Sequence, residues 1–126
     1  MIKLFNNFIP ENLTEKILKY VRLHSKSNTW SISNLTYHPD LVQGSAPIIS
    51  MKLNQDLQNE LIKLYTSNFK EFKNKTFLID YKIYTPNSFV TWHADGNYLA
   101  GSTIYVSKKY YENDGGIFLY KNEKKL

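Results

Sequence analysis

The chain has 126 residues, 42% of them hydrophobic and 15% aromatic, which supplies one core for a single small domain and excludes compositional disorder. It has no cysteine, so disulfides, thiolate metal sites and cysteine nucleophiles are all excluded. The net charge is +5, but Arg22 is the one arginine and the lysines are dispersed apart from Lys108-Lys109 and the tail 121–125. Bidentate recognition of phosphate and guanine favours arginine, so the balance counts against a nucleic-acid partner. No run approaches the ~20 consecutive apolar residues of a membrane span, and residues 1–7 lack the apolar stretch of a secretory signal. The expectation is a cytoplasmic protein with no membrane partner.

Residues 1–9 read as a short strand through Ile2 and Leu4, punctuated by Asn6-Asn7. Pro10 suits a first helical turn, and 11–24 carries Leu13, Ile17, Tyr20, Val21 and His24 at spacings of three and four, which predicts a helix with Glu11 and Glu15 near its positive end. His24 is then a helix-end residue rather than a metal ligand. A strand is expected near 30–36, followed by a long loop to about 47 holding Tyr37, His38, Pro39, Gly44 and Pro47. Long loops often carry binding function. Core packing is the expected role of Trp30.

Asn54 is a good N-cap for a helix over 54–72, whose stripe is Leu57, Leu61, Leu64, Tyr65, Phe69 and Phe72. Asn74 ends it. The run 75–84 then alternates, with Phe77, Ile79, Tyr81 and Ile83 facing one way and Leu78, Asp80 and Tyr84 the other. Further strands are expected at 89–94, 102–107 and 116–121. Helices first and strands after them indicate an α+β arrangement.

The pair with the most chemical content is His93 and Asp95, in Trp92-His93-Ala94-Asp95-Gly96. On an extended segment two residues at this spacing project from one side, with Cβ atoms about 6 to 7 Å apart, within reach of one metal ion. An imidazole nitrogen and a carboxylate oxygen with a third ligand and open positions is the facial set of non-haem Fe(II) oxygenases. The other His-x-Asp triplet, His38-Pro39-Asp40, contains a proline that favours a turn over a strand. Asp95-Gly96 is itself a hairpin-turn signal, so His93 has the alternative of being a strand residue before a turn.

The series Tyr84, His93-x-Asp95, Tyr105-Val106-Ser107 and Gly115-Gly116 resembles the 2-oxoglutarate- and Fe(II)-dependent dioxygenases of the prolyl 4-hydroxylase-like group, over about residues 77–120. In that family a tyrosine precedes the His-x-Asp by nine residues, as Tyr84 precedes His93. A Tyr-Leu-Asn strand follows, and a Gly-Gly pair opens the next strand. The resemblance implies a double-stranded β-helix, or jelly roll, buttressed by the N-terminal helices. It also implies Fe(II) held by His93 and Asp95, with 2-oxoglutarate bound by Tyr84 in a pocket lined by Thr103 and Tyr105. O2 would be the oxidant, ascorbate the reductant, and a peptide or small molecule the substrate.

Two positions depart from the family. Asn87 stands where a glycine is common, a mild change because asparagine tolerates the left-handed region. The family's distal histidine and its Arg or Lys anchor for the co-substrate have no counterpart, since no histidine follows His93. On this reading 1–126 is one domain lacking the C-terminal strands of a jelly roll, inactive or weak alone. The alternative is a non-catalytic fragment or a small binding module in which His93 and Asp95 are structural.

Overall fold

Pro10 opens the first helix as a residue with extended backbone, and its carbonyl accepts from the amides of Leu13 and Thr14 at 3.1 and 3.0 Å. The computed structural model describes residues 2–26, 30–33, 47–88, 90, 96–107, 109 and 111. Helix α1 is Glu11–Leu23, with His24 at its C-cap. Asn12 Oδ1 also accepts from the Leu13 amide, at 2.9 Å, so that first-turn donor is shared between the two oxygens. The predicted stripe forms: Leu13, Ile17 and Val21 are buried, Ile17 to 2% exposure, while Tyr20 and His24 are half-buried.

Asn54 caps the second helix as expected, its side chain accepting from the Leu57 amide at 2.9 Å. This helix, α2, is Gln55–Asn68, shorter than the expected 54–72. Asn68 Nδ2 donates to the Leu64 carbonyl at 2.7 Å and Thr66 Oγ1 to that of Ile62 at 2.9 Å, so short polar side chains satisfy carbonyls of the last turns. Phe69 leaves the helix with extended backbone, and Lys70–Phe72 forms a separate 3₁₀ turn. The break turns Phe69 into an aromatic cluster. Its ring lies 5.5 Å from Phe5 and 5.8 Å from Phe8, and Phe8 lies edge-on to Tyr65 at 5.1 Å.

Those ring contacts, rather than a strand ladder, hold the N-terminal segment. The strand expected in 1–9 does not form among its described residues: 2–5 are unpaired, and Leu4 is 92% exposed.

The described sheet has three antiparallel strands in the order β1 (Ser31–Ser33), β2 (Ile48–Met51) and β3 (Tyr81–Tyr84). Strand β1 falls inside the expected 30–36, and most of the expected loop up to 47 lies outside the described residues. Strand β2 was not foreseen. It is central, pairing Ile49 with Ile32 on one side and with Ile83 on the other. Four residues, Ile-Ile-Ser-Met, carry too little periodicity to be distinguished from loop.

The run 75–84 was expected to be extended throughout, but its ladder begins only at Tyr81. Tyr81 pairs with Met51, the last residue of β2, after which the chain leads into α2 and offers no further partner. The alternation nevertheless holds over its first part, with Phe77, Ile79 and Tyr81 half-buried and Leu78 and Asp80 exposed. Ile83, expected on the inner face, is exposed.

One core joins these elements. Leu13, Ile17 and Val21 of α1, Leu57 and Leu61 of α2, and Met51 and Leu53 at the end of β2 pack together, with Trp30, Leu64, Ile79, Tyr81 and Ile104 against them. Trp30 takes the packing role: its ring meets Tyr81 edge-on at 6.4 Å and its Nε1 donates to the His24 carbonyl at 2.8 Å. Lys16 on α1 and Glu60 on α2 form an ion pair at 2.8 Å on the surface above this core. Among the described residues no helix is long and apolar enough to cross a membrane.

Candidate functional site

Tyr84 is the last residue of β3, opposite Ile48, and its side chain is 54% exposed. Immediately after it the chain is pinned to the start of β2, because Thr85 Oγ1 donates to the Pro47 carbonyl at 2.6 Å. The next residues close a turn in which the Ser88 amide donates to the Thr85 carbonyl at 2.9 Å. Asn87 occupies the left-handed region there, at φ 65°. Asparagine is among the residues that tolerate this conformation.

The run 102–107 joins no ladder among the described residues, contrary to the strand expected. It is anchored from within: Ser102 Oγ lies 2.5 Å from Tyr65 Oη on α2, and Ile104 packs against the core. Exposure alternates along it, with Ile104 and Val106 half-buried and Thr103, Tyr105 and Ser107 exposed. Thr103 and Tyr105 therefore share the outer side, as their spacing predicts.

Tyr84 and Tyr105 come close enough to interact through their charges. Partial burial, and secondarily the nearby Tyr105 phenolate, push the Tyr84 phenol above its ordinary value, so at neutral pH it carries its proton and can donate a hydrogen bond. Tyr105 also borders an open groove of about 480 Å³, with Ser107 beside it and Asn7, Glu11, Thr14 and Glu15 of the α1 start opposite. That groove is polar on its helical side.

His93 and Asp95 lie outside the described residues, as do His38, Tyr37 and Gly115-Gly116. The turn that follows the pair is described: Gly96 has φ 63° and begins a turn with Asn97. Among the described residues no group of three His, Asp or Glu side chains could hold a metal ion. His24 sits at the end of α1. Its Nδ1 lies 2.9 Å from the Tyr20 carbonyl, and its ring is tilted against that of Tyr20 with centroids 4.1 Å apart.

One group near the site was not singled out from the sequence. Ser88 Oγ is buried and has no hydrogen-bond partner among the described residues. It stands four residues after Tyr84 and five before His93. Pro86-Asn87 marks this stretch as a turn, but nothing in the residue types marks the hydroxyl as buried.

Tyr84 and Ser88 are neutral hydroxyl donors, and the sequence from Tyr84 to His93 contains no acidic residue. A borderline imidazole and a hard carboxylate are suitable donors for Fe(II). Comparisons with protein families, with curated proteins and with solved structures find no match to this chain.

Proposed function

We propose that this chain is an Fe(II)- and 2-oxoglutarate-dependent dioxygenase of the prolyl 4-hydroxylase-like type, its sheet part of a jelly roll. The observation that carries the reading is Tyr84, nine residues before His93-x-Asp95, closing β3 next to Tyr105. Fe(II) bound with 2-oxoglutarate and O2 supplies oxidative decarboxylation of the co-substrate to succinate and CO2, coupled to hydroxylation of a C–H bond, with ascorbate as the supporting reductant.

The chain's own residues then have separate tasks. His93 and Asp95 hold the ion from one side of their segment. Tyr84 donates its phenol proton in a hydrogen bond to a co-substrate carboxylate, and Thr103 and Tyr105 line the same pocket. The turn at 85–88 is pinned through Thr85 to Pro47 and holds the chain directly after Tyr84. The substrate is a peptide or a small molecule.

With two protein ligands and no cationic anchor assigned to the distal carboxylate, Fe(II) affinity and turnover are expected to be feeble. The test is Fe(II) titration and succinate production with 2-oxoglutarate and ascorbate. His93→Ala should abolish metal binding. Tyr84→Phe should weaken 2-oxoglutarate about tenfold, the size of one hydrogen bond to a charged group. Unaltered Fe(II) binding by His93→Ala would sink the reading.

A second reading is favoured by Gly96, whose left-handed backbone begins a turn directly after the pair. In it the chain is a small binding module, and His93 and Asp95 merely lead into that turn. Metal titration separates the two, because the module binds Fe(II) no better than the His93→Ala variant does.

A further inference from the structure

We infer that α1 is a self-association surface, its solvent face packing antiparallel against α1 of a second copy of this chain with Glu11 facing Arg22 and Glu15 facing Lys19. The inference is independent of the dioxygenase reading.

At the helical repeat Glu11, Glu15, Lys19 and Arg22 project within roughly 80° of one another, on the side of α1 away from the buried Leu13, Ile17 and Val21. All four are exposed. The stripe they form is acidic over its first half and basic over its second. A helix macrodipole favours acids at the start and bases at the end, but its effect fades beyond the first and last turns, so it does not account for Glu15 or Lys19. In a lone helix this order is unfavourable at both ends, because Glu11 and Glu15 are like charges four residues apart and Lys19 and Arg22 like charges three apart. An opposed copy compensates both. Glu15 is already engaged within its own chain, and a carboxylate with two oxygens accepts from a second partner as well.

The positions of the charges set the register. Glu11 with Arg22, and Glu15 with Lys19, each lie symmetrically about the middle of Glu11–Leu23, so a single two-fold axis there makes both contacts, each of them twice. A parallel copy would set acid on acid and base on base. Glu11 and Glu15 also border the open groove of about 480 Å³ whose far wall includes Tyr105 and Ser107. It leaves room beside the carboxylates for the long basic side chains of the second copy. A helix of 13 residues is about 20 Å long, and exposed ion pairs are individually weak, so the dimer is weak and sensitive to salt.

The experiment is sedimentation equilibrium of the 126-residue protein at concentrations up to about 1 mM, at about 20 mM and about 500 mM salt, a range over which exposed charges become screened. Circular dichroism follows the helix content of every variant. The unaltered chain should dimerise at low salt and dissociate at high salt. Glu15→Lys and Lys19→Glu, each of which sets like charges against each other at two places, should each raise the dimer Kd at least about tenfold. The exchange Glu15→Lys with Lys19→Glu in one chain should restore the original Kd, because opposite charges face each other again and the net charge is back at +5. A chain that stays monomeric at low salt overturns the inference and leaves the stripe to water or to another protein. Single variants that dimerise like the unaltered chain overturn it, and so does an exchanged chain as weak as the singles, since the two positions then do not face each other. Both single variants should keep their helix signal, and its loss in both would show that the stripe is not a free face.

Discussion

The aliphatic core between α1, α2 and β2 differs in kind from the region around Tyr84. In the core, Leu13, Ile17, Leu57 and Leu61 are buried side chains with no polar atoms, and the described buried residues include no polar or charged one. Around Tyr84 the phenols stay half in water, and a hydroxyl is held inside without a partner among the described residues. The contrast separates two uses of sequence. Core positions contribute by leaving water, and each is replaceable by a residue of similar volume. Around Tyr84 the buried Ser88 hydroxyl has no partner among the described residues, so the fold does not use it.

Substitutions can break or sharpen this contrast, and the largest effect is expected in the core. Leu61→Ala removes a buried side chain facing α1 and β2 and should cost about 2 to 5 kcal/mol in chemical denaturation. A loss below roughly 0.5 kcal/mol, typical of surface changes, would show that the stripe is not packed as described. Asn54→Ala is next. It removes the acceptor for the Leu57 amide and should cost about 1 kcal/mol in the same measurement, without altering ligand binding.

The smallest effect on stability belongs to the tyrosines. Burial raises the phenols of Tyr81 and Tyr84, with Tyr105 adding to the shift at Tyr84. The folded chain thus holds these protons more tightly than the unfolded chain. Their stabilising contribution is complete below pH 10.0 and is lost as pH rises beyond it through the folded values. In an alkaline absorbance titration Tyr84→Phe should remove part of the late-ionising phase, and Tyr105→Phe should move the Tyr84 step to lower pH. A Tyr84 step that stays at the same pH in Tyr105→Phe would show that the two rings do not sense each other.

The helices were the legible part, for a local reason. Leu13, Ile17 and Val21 recur at helical spacing, and Asn54 carries its own capping acceptor, so residues a few positions apart contain the instruction. The end of α2 was less legible. Phe69 and Phe72 continue the helical stripe in sequence, yet Phe69 departs from the helix to meet Phe5 and Phe8, residues from the other end of the chain. Of the candidate site, the order Tyr84, His93, Asp95, Tyr105 and the shared outer side of Thr103 and Tyr105 were readable from spacing. The approach of Tyr105 to Tyr84 and the burial of Ser88 Oγ were not.

What the sequence by itself determined about this protein are the patterns carried by neighbouring residues. These are two amphipathic helices, the cap at Asn54, a left-handed turn that Asn87 tolerates, and the nine-residue interval between a tyrosine and a His-x-Asp pair. Tertiary structure alone decided that Ile48–Met51 is the central strand, that the ladder of β3 waits until Tyr81, and that the N-terminal segment is held by rings. A helix closes its hydrogen bonds within its own segment, so periodicity is enough to announce it. A strand is completed only by partners distant in the chain, and β3 is paired just as far as β2 extends before turning into α2.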